Sequence, residues 1–278
     1  MKTVFSIVCD NTAGESRFLG EHGWSCLIER GSQSYLFDTG QGIALPHNLK
    51  RLDKSLKGLR HVFISHGHYD HTGGLKTVLE EIGGAEIIAH PEMFAHHSVK
   101  KERPEKTTRY IGCPFTKSEL VKLGGRFNFI DETKEVLPGI WFVTGIDRDP
   151  DKVPNDSRLV VEKGGNIEPD PIEDDASLLV ETDKGLVLIL GCAHSGIINI
   201  LDFLRNNMGI DRLCAVMGGT HLAFSSSEIL PQVIEKLEAF SVDLVGVSHC
   251  TGFEPAAIIY SHFQSRFSLA SAGKSFTI

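Results

Sequence analysis

The stretch His61-Val62-Phe63-Ile64-Ser65-His66-Gly67-His68-Tyr69-Asp70-His71-Thr72-Gly73-Gly74 decides how the rest of the chain is read. Its first five residues form a short apolar run, which predicts a buried strand. After Gly73-Gly74, the apolar residues of Leu75-Lys76-Thr77-Val78-Leu79-Glu80-Glu81-Ile82 fall at helical spacing, before a Gly83-Gly84 stop. Between strand and helix lies the cluster His66-x-His68-x-Asp70-His71. In an extended segment residues two apart project to one side, so His66 and His68 can converge on one ion. The turn into the helix lets Asp70 and His71 face a neighbouring position. Imidazole and carboxylate donors suit zinc, and also iron, manganese or nickel. The competing reading is a surface His-rich turn. The strand on one side and the helix on the other argue against it, because such a frame is rigid.

Working outward, residues 3–9, 24–30 and 34–37 read as three early strands, and Phe37-Asp38-Thr39-Gly40 opens a helical pattern that runs to about residue 56. Glu86-Ile87-Ile88-Ala89-His90 reads as a further strand. From 91 to 175 the texture changes: residues 96–109 are basic, 126–144 suggest two strands, and 147–175 are rich in Asp, Pro and Gly. The expectation is one elaborated insertion covering the active site rather than a second domain. Strands at 177–182, 186–190, 212–217 and 242–248 then alternate with helices near 196–207 and 226–239. The fold class is α/β with many strands.

Ligands held in one loop cannot encircle two ions, so others must come from elsewhere. His194 in Gly191-Cys192-Ala193-His194, His221 in Gly218-Gly219-Thr220-His221 and His249 in Ser248-His249-Cys250 each follow an apolar strand. A lone histidine is more often structural. Three at equivalent strand-to-helix corners point to one sheet edge, where ligands gather at strand C-termini.

The 278 residues suffice for a substantial core, and 41% apolar with 23% charged residues is ordinary for a globular chain. With 36 acidic against 28 basic residues the net charge is -8, which argues against a nucleic-acid partner. No apolar stretch reaches membrane-span length, and the N-terminus reads as a strand rather than a signal peptide. Six cysteines without a C-x-x-C pair suggest free thiols in a reducing, cytoplasmic setting. The expected partner is therefore a small-molecule substrate, without nucleic acid or membrane; nothing in the sequence specifies an oligomeric state.

The His66–His71 cluster resembles the H-x-H-x-D-H signature of the metallo-β-lactamase superfamily, and Asp38 matches that family's strand-end Asp-x-Gly. The resemblance implies an αββα four-layer sandwich, with Asp38 steadying the metal loop. Glu21-His22-Gly23-Trp24-Ser25, Phe37-Asp38-Thr39-Gly40, Gly191-Cys192-Ala193-His194, Gly218-Gly219-Thr220-His221-Leu222 and His249-Cys250-Thr251-Gly252 narrow it. Together they are similar to the subfamily of archaeal dihydropterin-methyl-ribofuranosylaminobenzene-phosphate synthases and bacterial metal-dependent hydrolases. Carried over by motif, His66, His68 and His194 would hold one metal, and Asp70, His71 and His249 a second. Asp70 and His221 would be catalytic, His221 as proton donor or substrate partner. One departure stands out: the family's bridging Gly-Asp is here Gly191-Cys192. Either the second site is weaker or Cys192 supplies a thiolate, unless it is simply a buried structural thiol.

Such a centre implies hydrolysis of an ester, thioester, lactone or phosphoester, or group transfer from a pterin-methyl diphosphate. The alternatives are a di-iron redox protein and a non-catalytic metal-binding protein of the same fold. The basic run Lys100, Lys101, Arg103, Lys106 and Arg109, beside Phe94, Tyr110 and Phe115, suggests a lid binding phosphate and a heterocycle; its bland reading is a solvated helical face. Glu168–Asp175 reads as a solvated loop, with Asp175 at the site's edge as the remote alternative. His22 reaches the rim or is structural, His90 reads as structural, and His47, His61, His96, His97 and His262 carry no signal.

Overall fold

Val62, Phe63 and Ile64 show why the chain folds in layers. Val62 and Ile64 pack among helices on one side of their sheet, while Phe63 points into the apolar seam between two sheets. All three are fully buried. Removing the Phe63 ring would cost about 3–5 kcal/mol in transfer and cavity terms. Leu186-Val187-Leu188-Ile189-Leu190 does the same in the second sheet, with Val187 and Ile189 facing the seam and Leu188 and Leu190 facing helices. Strands buried on both faces must read as continuous apolar runs, as these do.

The structure is a computed structural model describing residues 2–101, 108–226 and 228–278. One sheet runs in the order Ser275–Thr277, Thr3–Cys9, Ser25–Arg30, Gln33–Phe37, His61–Phe63, Glu86–Ala89, Arg126–Phe129. The other runs Leu244–Ser248, Ala215–Gly219, Gly185–Leu190, Ser177–Thr182, Ile140–Val143, Lys134–Leu137. Helices Ala44–Arg51, Leu75–Ile82 and Lys117–Lys122 cover the first sheet, and Ile197–Met208, Ile229–Ala239 and Phe253–Phe263 the second. This is the αββα four-layer sandwich.

Two expectations need correction. The region 91–175 is not one insertion. Lys117–Lys122 and Arg126–Phe129 complete the first half of the sandwich, and Lys134–Leu137 and Ile140–Val143 form the edge of the second sheet. What projects is a small antiparallel sheet ordered Asn166–Pro169, Leu159–Lys163, His97–Lys100, Thr108–Tyr110. Two of its strands lie in the 147–175 segment that its Asp, Pro and Gly content disguised as loop. The helix expected to reach residue 56 stops at Arg51, because Asp53 turns left-handed (φ 55°) and Lys54 N–H closes back on Leu49 O at 2.9 Å.

In the first sheet the strands ending at Phe37, Phe63 and Ala89 are parallel, as in the second are those ending at Leu190, Gly219 and Ser248. All the loops bearing candidate ligands therefore leave the strands' C-terminal ends. Among the described residues no helix is long and apolar enough to cross a membrane, and all six cysteines are buried free thiols.

Candidate metal centre

Gly67 sets the spacing of the first two histidines. A Cβ there would fall 2.2 Å from Met93 O, so the residue between His66 and His68 can only be glycine. Its N–H donates to Asp174 Oδ2 at 2.6 Å. His68 is extended (φ -64°, ψ 146°) and starts the short helix Tyr69–Thr72 that carries Asp70 and His71. The extended residues bring His66 Nε2 and His68 Nδ1 to 3.0 Å. The helical turn places Asp70 Oδ2 3.8 Å from His71 Nε2 and 3.5 Å from His249 Nε2.

Hydrogen bonds on the far side of each ring assign its free nitrogen. Ser65 Oγ donates to Asp38 Oδ2 at 2.7 Å, which leaves it to accept His66 Nδ1–H at 2.9 Å. His71 Nδ1 donates to the same carboxylate oxygen at 2.7 Å. His249 Nδ1 donates to Asn11 Oδ1 at 2.9 Å, and its backbone N–H to Asp10 Oδ1 at 2.9 Å. All three rings thus turn Nε2 inward, the arrangement by which outer hydrogen bonds orient histidines for a metal. Asp38 serves two candidate ligand histidines at once, one directly and one through Ser65.

The second sheet contributes from the opposite side. Cys192 Sγ lies 3.3 Å from His71 Nε2, and the His194 ring centroid lies 4.7 Å from that of His66. His194 and Ser195 hang their backbone N–H groups on Asp175 at 3.0 and 2.8 Å. His221 sits against His194, ring centroids 4.3 Å apart. Asp38, Ala193, His221 and His249 all adopt left-handed backbone, with φ of 57°, 56°, 53° and 52°.

Electrostatics separate these groups by role. Burial, reinforced by neighbouring imidazoles, pushes His66 and His194 well below the ordinary histidine range. Burial likewise brings His68 and His249 down to about 4. Burial also works against a charge on His71, but the Asp38 and Asp70 carboxylates outweigh it and hold that ring up to about 9. Asp70 resists burial because His71, His22 and His249 hold its carboxyl below the usual range. His22 Nε2 is 3.2 Å from Asp70 Oδ2, which raises His22.

The donor set fits a divalent transition metal. Imidazoles crowd a buried space, and His68 Nε2 and His194 Nε2 have no hydrogen-bond partner in the protein. Uncompensated buried polar atoms are expensive, and a cation facing them removes that cost. His66, Cys192 and His194 bring donor atoms within 4.8 Å of one another, as do His71, Cys192 and His249.

Two expectations about substrate contacts change. Lys100 is exposed and bonds Ser157 O at 3.3 Å, outside the cavity. Phe115 lines a separate depression with Phe94 and Tyr110. Arg103 and Lys106 lie outside the described residues. The cations that do line the cavity over the histidines, of about 470 Å³, are Arg109 and Arg158. Arg158 pairs with Asp156 at 2.7 Å and lies 4.9 Å over the Phe224 ring, so its guanidinium is oriented. Arg109 belonged to the basic run; Arg158 sat unnoticed in an irregular-looking segment.

The acidic loop departs furthest from its expected solvated state. Asp174 and Asp175 are buried, not solvated. His97, which carried no signal, is also buried, with Nδ1 2.6 Å from Asp170 and Nε2 3.6 Å from Asp174. Burial opposes its charge, but the two carboxylates hold it up to about 10. Asp10 and Asn11 follow a strand end just as Asp38 does, and that same signal would have found them.

Two stacked sheets whose parallel strand tips deliver histidines and an aspartate to one cleft define a class of metal-binding αββα proteins. The description "Metallo-beta-lactamase superfamily" matches residues 20–204, and the chain belongs to that superfamily. It is 30% identical to the 7,8-dihydropterin-6-methyl-4-(β-D-ribofuranosyl)-aminobenzene-5'-phosphate synthase of Methanocaldococcus jannaschii, over 98% of this chain and 95% of that protein. An uncharacterised protein of the same organism is 31% identical over 90% of this chain and 91% of its own. A solved metal-dependent hydrolase of the β-lactamase superfamily superposes with a TM-score of 0.84, at 29% identity and 99% coverage of both chains. Metal binding and enzymatic activity follow from this membership; the identity of the metal does not.

Proposed function

We propose that the chain is a metal-dependent enzyme acting on a small phosphorylated, pterin-like molecule. The reaction is group transfer from a pyrophosphate leaving group, or hydrolysis when water takes the acceptor's place. His66, His68 and His194 would hold one ion, and Asp70, His71 and His249 a second, with zinc the leading candidate ahead of iron, manganese or nickel. Bound ions would supply Lewis-acid polarisation and a water of lowered pKa.

The observation that carries this reading is a shared space. The unpartnered nitrogens of His68 and His194 belong to residues lining the same cavity as the Arg109 and Arg158 guanidinium groups. Guanidinium forks match phosphate oxygens, and Phe224, half-buried under Arg158, lines the same cavity. His221 lies between Phe224 and His194, with ring centroids 4.7 and 4.3 Å away, within reach of a proton at the reacting end of a bound substrate. The likeness to the archaeal synthase over nearly the whole of both chains supports transfer, and that to the solved metal-dependent hydrolase supports hydrolysis.

Purified protein should contain transition metal, and the double variant His66→Ala, His68→Ala should lose most of it. Turnover of a pterin-methyl diphosphate with an aminobenzoate acceptor should exceed that of simple phosphodiesters and thioesters. Metal-loaded protein that turns over only the esters would overturn the transfer reading.

A further inference from the structure

Cys192 stands between two groups of side chains that could each hold a metal ion. Its Sγ lies within 4.8 Å of donor nitrogens of both His66 and His194, and equally of both His71 and His249. Among the described residues it is the one side chain common to those two groups. The loop gives the sulfur little freedom. Gly191 cannot carry a side chain, since a Cβ would fall 2.2 Å from Ser65 Oγ. Gly219 N–H donates to Gly191 O at 3.1 Å, and the Cys250 thiol to Cys192 O at 3.6 Å.

Two cations held side by side repel, and an anionic atom between them offsets that repulsion. We infer that Cys192 is this atom: a thiolate bridging both metal positions, its proton released as the metals bind. This rests on the proposed dinuclear centre and adds its chemical character. A shared sulfur makes the centre soft, favouring zinc, cobalt or ferrous iron over magnesium and manganese. Cys250 is no rival for the place. Its Sγ accepts His221 N–H at 3.3 Å and groups with Cys192 and His221, sharing no candidate metal group with His66, His71, His194 or His249.

The test is cobalt reconstitution of the metal-free protein, comparing it with Cys192→Ser, Cys192→Asp and Cys250→Ser. The unaltered chain should bind a pair of cobalt ions and show a near-ultraviolet thiolate-to-cobalt charge-transfer band. Cys192→Ser should lose that band and weaken the second ion about tenfold or more. Cys192→Asp should also lack the band yet regain the pair, because a carboxylate can bridge. Cys250→Ser should keep the band. A bound pair without a band, or a band that disappears only with Cys250, overturns the inference while leaving the metal centre standing. Uptake of neither cobalt nor zinc by the unaltered chain sinks both. Should the Cys192 variants fail to fold, the spectrum of the unaltered chain with and without Cys250 still decides.

Discussion

Asp175 Oδ1 accepts the backbone N–H of His194 at 3.0 Å, so an acid preceding one strand fixes a histidine following the next. Ser177–Thr182 and Gly185–Leu190 form a hairpin, and this bond closes its open end beside the metal centre. The buried carboxylate touches no candidate metal-binding nitrogen; it works on the main chain of the loop that presents one. Replacing it by asparagine should leave the fold intact while aiming His194 less well. Metal affinity should fall about tenfold to a hundredfold, measured by competition with a chromophoric chelator. Unchanged affinity would show that the loop holds its shape without the acid.

Asp38 deserves the companion measurement because it faces His71 directly and His66 through Ser65. Asp38→Asn removes the negative charge from both, and should weaken ions at both positions rather than one. A loss confined to a single ion would break the proposed sharing.

His97 governs a pH dependence of stability. Its charge is favoured in the folded state up to about 10, against about 6.5 unfolded. A raised histidine contributes stability that is full below 6.5, declines as pH rises, and is gone above about 10. Denaturant midpoints should fall across that window in the unaltered protein. His97→Gln should be less stable at pH 6.5, by roughly 3 kcal/mol, since Asp170 and Asp174 then lie buried without a counter-charge. The difference should shrink toward pH 10, and a constant gap would contradict the pairing.

His221 lines the cavity against His194. His221→Ala should therefore lower kcat about a hundredfold to ten-thousandfold while metal content stays near that of the unaltered protein. Metal loss in parallel with activity would make it a ligand instead.

Arg109→Ala and Arg158→Ala should raise KM for phosphorylated substrates about tenfold each and leave uncharged esters nearly unaffected. Equal effects on both substrate types would mean that these residues only shape the cavity.

The fold was legible where a residue's job depends on its own strand. Val62-Phe63-Ile64, the strand-end Asp38 and the post-strand histidines are local patterns that hold without knowing the partner. Asp174 and Asp175 failed because an acid-rich stretch looks solvated unless the N–H groups of Gly67 and His194, distant in sequence, are known to await it. His97 failed likewise, since its meaning comes from Asp170. Which of Lys100 and Arg158 faces the cavity was hidden because it depends on how His97–Lys100 pairs with Leu159–Lys163, a register that neither segment states.

The left-handed tips at Asp38, Ala193, His221 and His249 place a limit on engineering. Each such non-glycine residue gives up roughly 1 kcal/mol relative to a relaxed backbone. Glycine at 193 would relieve that strain, but the greater freedom of the unfolded chain and the loss of a buried methyl would cancel the gain. It would also let the segment bearing Cys192 and His194 wander, so the strained alanine is what keeps the donors accurately aimed.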